Sequence, residues 1–144
     1  MELSCKSEYA LLALIELSAH HNQGEPLRIC QIAAQQNIPD RYLEQLLATL
    51  RRGGFVKSQR GAKGGYFLNR EPWKVTLLEV VNCIEGFEVS PHKEKSPQTT
   101  EGRVVAEVWQ ETRTAAESVL EKYTLQDLVD KRNAREQMDL MYYI

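Results

Sequence analysis

The sequence predicts a mainly α fold with one small β-hairpin, a winged helix-turn-helix domain followed by a long C-terminal helix. Three observations predict it. Short amphipathic helical patterns fill the chain before residue 53. Two short apolar runs, Phe55-Val56 and Tyr66-Phe67-Leu68, then flank a basic glycine-rich turn, Gln59 to Gly65. A wide apolar stripe at helical spacing begins after residue 103.

Taken in order, residues 7–21 (SEYALLALIELSAHH) read as a helix with Tyr9, Leu12, Ile15 and Ala19 on its apolar stripe. Asn22 to Pro26 breaks it. Residues 29–36 (ICQIAAQQ) form a second short helix, with Ile29, Ile32 and Ala33 inward. Pro39 suits the first position of a third helix, where a missing N–H costs nothing. That helix runs to about Arg52 on an apolar face of Tyr42, Leu43, Leu46, Leu47 and Leu50, and Gly53 is expected as its left-handed cap. Thr76 and Glu79 spell a capping box for a fourth helix that stops at Gly86.

The expected organisation is a winged helix-turn-helix domain over residues 1–87, a polar loop over 88–102, a dimerisation helix region over 103–130 and a tail over 131–144. The long stripe carries Val105, Val108, Trp109, Thr112, Ala116, Val119 and Leu120. One small domain would leave such a stripe uncovered, and a second copy could cover it in a self-complementary, antiparallel interface. A homodimer is therefore expected. The other reading folds the helix back on its own domain.

Charge is unevenly placed. Residues 41–74 hold eight Lys or Arg against two Glu, a net of +6 in a chain whose total is −2. A basic face on an acidic chain points to phosphate, and double-stranded DNA is the expected partner. The third helix would enter the major groove, with Asp40, Arg41, Tyr42, Glu44 and Gln45 nearest the base edges. Arg51, Arg52 and Lys57 suit phosphate contacts. In the turn, small residues let Arg60 and Lys63 project, and Arg60, followed by Gly61, is placed to enter a minor groove.

Other classes are weaker. No P-loop, nucleophile elbow or zinc-protease helix is present, so an enzyme is not expected. No apolar run approaches the roughly 20 residues of a membrane span. With no signal-type segment at the start, cytoplasm is the expected location. The cysteines, Cys5, Cys30 and Cys83, are too few and too far apart for a disulfide framework. An adapter binding protein through the wing or the Tyr142-Tyr143-Ile144 end is a competing reading.

The stretches LSCKSEYALLALIELSAH, ICQIAAQQNIPDRYLEQLLATLRRGGFVKSQRGAKGGYFLNREP and VTLLEVVNCIEG closely resemble the Rrf2 family of bacterial regulators. The combination Tyr42-Leu43-Glu44-Gln45, Arg60-Gly61 and Gly64-Gly65-Tyr66 carries the resemblance. It implies a homodimeric transcription factor on a palindromic operator, usually a repressor. It also implies that residues 40–45 read the major groove, that Arg60 probes the minor groove, and that the long helix crosses its partner. Members that bind an iron–sulfur cluster carry three cysteines in the loop before the long helix, and here residues 88–102 contain none. The expectation is therefore no cofactor and no metal, with an unidentified effector. The alternative is a redox or iron–sulfur sensor using a thiol switch or a non-standard site. Glu8, at a position where some members use an acidic ligand from the partner, is one candidate for that site, with Cys83 and His92. A surface carboxylate, a core thiol and a loop histidine explain the same three residues more simply.

Overall fold

The computed structural model describes residues 3–86 and 99–142. Six helices and one hairpin follow in the order α1 (Cys5–Ala19), α2 (Ile29–Gln36), α3 (Asp40–Arg52), β1 (Val56–Gln59), β2 (Gly65–Leu68), α4 (Leu77–Glu85), α5 (Thr100–Lys122) and α6 (Leu125–Tyr142). The strands pair antiparallel, with Val56 opposite Leu68 and Gln59 opposite Gly65.

The core lies where α1, α2, α3 and α4 meet the base of the hairpin. Leu14, Leu43, Leu47, Leu50, Val75 and Val80 are fully buried, with Ile32 and Val56 nearly so. Each such side chain removed from water contributes about 1.5–3 kcal/mol. The inward face of α1 differs from the expected stripe. Ser7, Ala10, Leu11, Ala13, Leu14 and Leu17 are buried, while Tyr9, Leu12, Ile15 and Ala19 are half-buried. α1 is apolar most of the way round, so periodicity could not choose its face; α4, α6 and α3 all pack against it.

Local chemistry also corrects several termini. Pro39 is the cap preceding α3, and Asp40 is its first helical residue. Gly53 has φ −77°, and it is Gly54, at φ +82°, that takes the left-handed conformation. Half of the Thr76 capping box forms: Thr76 Oγ1 accepts from Glu79 N at 3.2 Å, but the Glu79 carboxylate pairs instead with Arg70 at 3.2 Å. α5 begins earlier than residue 103 because Thr99 Oγ1 accepts from Gly102 N at 3.0 Å. Most of the expected 88–102 loop lies outside the described residues.

The segment expected to give one further turn and a tail is a single helix, α6, through Tyr142. Thr124 and Asp127 start it as a reciprocal box: Asp127 N donates to Thr124 Oγ1 at 3.2 Å, and Thr124 N donates to Asp127 Oδ2 at 2.9 Å. Leu125 is fully buried and Val129 nearly so, which seats α6 beside α1. Two backbone bonds, Leu77 N to Tyr123 O and Leu125 N to Val75 O, both at 3.0 Å, fix the α5–α6 corner to the start of α4.

Candidate nucleic-acid interface

The solvent face of α3 presents Asp40, Arg41, Glu44, Gln45, Arg51 and Arg52, all exposed, above the buried leucines. Helical spacing splits this face. Asp40, Glu44 and Arg51 border a groove whose far wall is the wing, with Ser58, Gln59, Arg60 and Gly61. Tyr42, Gln45 and Thr49 turn to the other side, toward Lys6 and Ile84. Tyr42 is half-buried because its ring meets the Tyr9 ring edge-on, 5.5 Å between centroids at 82°. That packing sets the entry of α3 and leaves Arg41, Glu44 and Gln45 as the freer side chains.

The basic residues expected to hold phosphate are braced from behind. Arg51 Nη1 donates to Ser58 Oγ at 3.3 Å, joining α3 to β1. Arg52 Nη2 donates to Thr49 Oγ1 at 3.3 Å. Lys57 Nζ lies 5.7 Å from the Phe67 ring centroid, across the strand pair. Arg70 and Lys74, which add to the basic count in sequence, turn elsewhere. Arg70 sits 5.3 Å over Phe55 and pairs with Glu79, and Lys74 lies 4.9 Å over Trp73.

Between the strands the wing is tightly folded. Gly61 has φ +109°, a backbone region closed to most side chains. Gly64 N donates to Gly61 O at 2.9 Å, and a Cβ on Gly64 would run into the Gln59 and Gly61 carbonyls. Arg60, Gly61 and Lys63 are all exposed on this turn. Two cations that sequence reading missed complete the surface. Arg28, at the start of α2, lines the same groove as Arg60, and Lys6, in the first turn of α1, lies beside Gln45. Nothing in local sequence pattern marks either one, since only the fold carries them to the α3 face.

The expected dimer face is largely open. No residue of α5 is fully buried along its 23 residues, and Val105, Val108, Trp109 and Val119 are all more than half exposed. Thr112 is exposed, with its hydroxyl bonded to Val108 O at 3.0 Å. Ala116 and Leu120 are half-buried, and Leu120 packs onto the core of its own domain.

The three candidates for a non-standard metal site do not assemble among the described residues. Glu8 is exposed on α1. Cys83 is half-buried, its Sγ 3.9 Å from Thr49 O, and burial pushes its thiol above the ordinary value, only partly offset by Arg52. Cys83 turns to a backbone carbonyl, and no second cysteine stands beside it among the described residues to share a cluster. His92 lies outside the described residues. Cys5 and Cys30 are exposed on α1 and α2, and no group of three or more His, Cys, Asp or Glu among the described residues could hold a metal ion. Among the described residues, the donor set does not fit an iron–sulfur cluster. No helix among the described residues is long and apolar enough to cross a membrane.

Comparison with known proteins agrees with this architecture. The Rrf2 family, described as an iron-dependent transcriptional regulator, matches residues 3–131. The HTH-type transcriptional regulator CymR of Bacillus subtilis is 38% identical over 144 residues, covering 100% of both chains. The solved structure of T. potens IscR superposes with a TM-score of 0.77 at 33% identity, covering 92% of this chain and 88% of that one. The solved structure of CymR, the global cysteine regulator of B. subtilis, gives 0.73 at 35% identity over 91% of this chain and 98% of that one. With its helix-turn-helix, wing and long helix matched over nearly their whole length, the chain belongs to the Rrf2 family of transcriptional regulators, not to any class of enzyme.

Proposed function

We propose that the protein acts as a homodimeric repressor on a palindromic operator, with α3 of each protomer in a major groove and the wing in the flanking minor groove. The observation that carries this is the single groove shared by α3 and the wing, bordered by Glu44 and Arg51 on one side and Arg60 on the other. A helix edge for bases and a projecting cation for the adjacent minor groove stand side by side, as winged readers require. The dimer is supported by the exposed stripe Val105, Val108, Trp109 and Val119, whose self-complementary burial would set two α3 helices at a fixed separation.

The effector acts without a resident cluster. Support comes from the donor chemistry: a cysteine-free stretch before α5, and a Cys83 thiol turned to the Thr49 carbonyl with no cluster of ligands around it among the described residues. Iron–sulfur absorbance with stoichiometric iron in anaerobically purified protein would overturn this part. The DNA reading is tested by recovering bound fragments from sheared genomic DNA, then titrating the best fragment at fixed salt. Arg60→Ala is expected to weaken binding by about 1–3 kcal/mol. Wild-type affinity in that variant removes the wing from the mechanism.

A further inference from the structure

We infer that Arg28 is a positioning residue for the wing: its guanidinium holds the wing tip against α2, and minor-groove reading by Arg60 depends on that hold. Arg28 Nη2 donates to the carbonyl oxygen of Ala62 at 2.6 Å, across 34 residues of sequence. Ala62 is at the tip of the turn, and the tip is stiff, because Gly61 and Gly64 are folded tightly against each other. A force applied at Ala62 is therefore felt at Arg60, two residues away.

The other end of the tie is equally fixed. Arg28 is the residue that caps α2, and its own N–H donates to Gln31 Oε1 at 2.8 Å. A guanidinium has no acceptor to offer the helix N–H groups, so its side chain is left for another task. Immediately before it, Leu27 N donates to Tyr66 O at 3.0 Å, and Tyr66 N donates back to Leu27 O at 2.8 Å. The connector before α2 thus pairs with β2 through a single antiparallel bridge. The hairpin is anchored by backbone at Leu27, through Tyr66 in the second position of β2, and at its tip by side chain at Arg28. Without the second anchor, a two-stranded ribbon of four residues a side would pivot about the first.

This inference rests on the DNA reading above, but one arm of its test needs no DNA. In the free full-length protein, Arg28→Ala is expected to speed hydrogen exchange at the Gly64 amide and leave the Tyr66 amide protected. In operator titrations, Arg60→Ala alone is expected to lower affinity roughly 5- to 150-fold. In an Arg28→Ala background the same substitution should change affinity by no more than about threefold, whereas Arg41→Ala should remain additive within about twofold. Arg28→Met, which keeps the apolar stem without a donor, should repeat both results. Additive effects of Arg28→Ala and Arg60→Ala, with a salt slope reduced by about one, would make Arg28 a direct phosphate contact and overturn the inference. Unchanged exchange at Gly64, or loss of Tyr66 protection in both variants, would overturn it as well. If the wild-type protein retains no operator, the DNA reading fails, and the exchange arm still decides whether Arg28 holds the wing.

Discussion

The carbonyl oxygen of Leu27 lies 2.5 Å from where a Cβ on Gly65 would stand. That close approach is what lets the connector before α2 pair with β2 through Tyr66. The blocking atom is backbone, so it cannot swing aside as a flexible side chain would. Gly65→Ala is expected to destabilise the protein by about 1–3 kcal/mol through local overpacking. It should also weaken operator binding at a temperature where the protein remains folded. Urea titration followed by tryptophan fluorescence measures the first effect. A stability equal to wild type would show that the connector yields easily.

Base reading and phosphate holding should separate experimentally. Gln45 is exposed on the Lys6 side of α3 and has both a donor and an acceptor to offer a base edge. Gln45→Ala should cost about 1–3 kcal/mol on the preferred sequence and relax preference at one position of each half-site. Lys57→Ala should instead weaken binding to all sequences alike and lower the salt slope by about one. A randomised operator library, titrated at several salt concentrations, distinguishes the two patterns.

Trp109, 66% exposed, projects with Val105 and Val108 from a helix that its own domain leaves uncovered. Trp109→Lys places a charge in the centre of the expected self-contact and should shift the protein to monomer at micromolar concentration. Circular dichroism should be unchanged, because no core contact is lost. Analytical ultracentrifugation reports the mass. A dimer as tight as wild type would move the interface elsewhere.

Glu85, at the end of α4, accepts hydroxyl bonds from Ser4 and Ser7, and the Ser7 bond is 2.7 Å long. Those two bonds, Ser4 first, hold its carboxyl below the ordinary carboxylate value, with Lys6 assisting. A depressed native value means that the unfolded chain takes up the proton first as pH falls. Stability from this contact is therefore present above the unfolded value of 4.5 and is lost as pH falls through the lower native value. Glu85→Gln should lower stability at neutral pH and converge on wild type at acid pH, which flattens the acid limb of a stability–pH curve below about pH 4.5. An acid limb identical to wild type would show that the α1–α4 tie does not titrate in this range.

How much of this was legible in the chain depends on how local each signal is. The α3 pattern of Leu43, Leu46, Leu47 and Leu50 repeats at helical spacing beside polar neighbours, so both its helix and its buried face could be read directly. The Gly61-to-Gly65 turn between two apolar runs announced the hairpin for the same reason. α1 gave no such contrast around its circumference, and its inward face was missed. α6 was underread because its charged surface conceals the two residues, Leu125 and Val129, that seat it.

The sequence by itself determined that there is a helix-turn-helix with a basic wing and a long apolar-striped helix after it. Those properties follow from periodicity, turn chemistry and charge placement within a few tens of residues. Tertiary structure alone decided which cations share a surface. It takes Arg70 away to Glu79, brings Arg28 from α2 to the wing tip, and sets Lys6 beside Gln45. It likewise turns the Cys83 thiol onto the Thr49 carbonyl, in a half-buried site that pushes its pKa up and disfavours the thiolate. Spacing along a chain fixes which face of an element is apolar. Only packing between elements brings side chains dozens of residues apart within hydrogen-bonding distance.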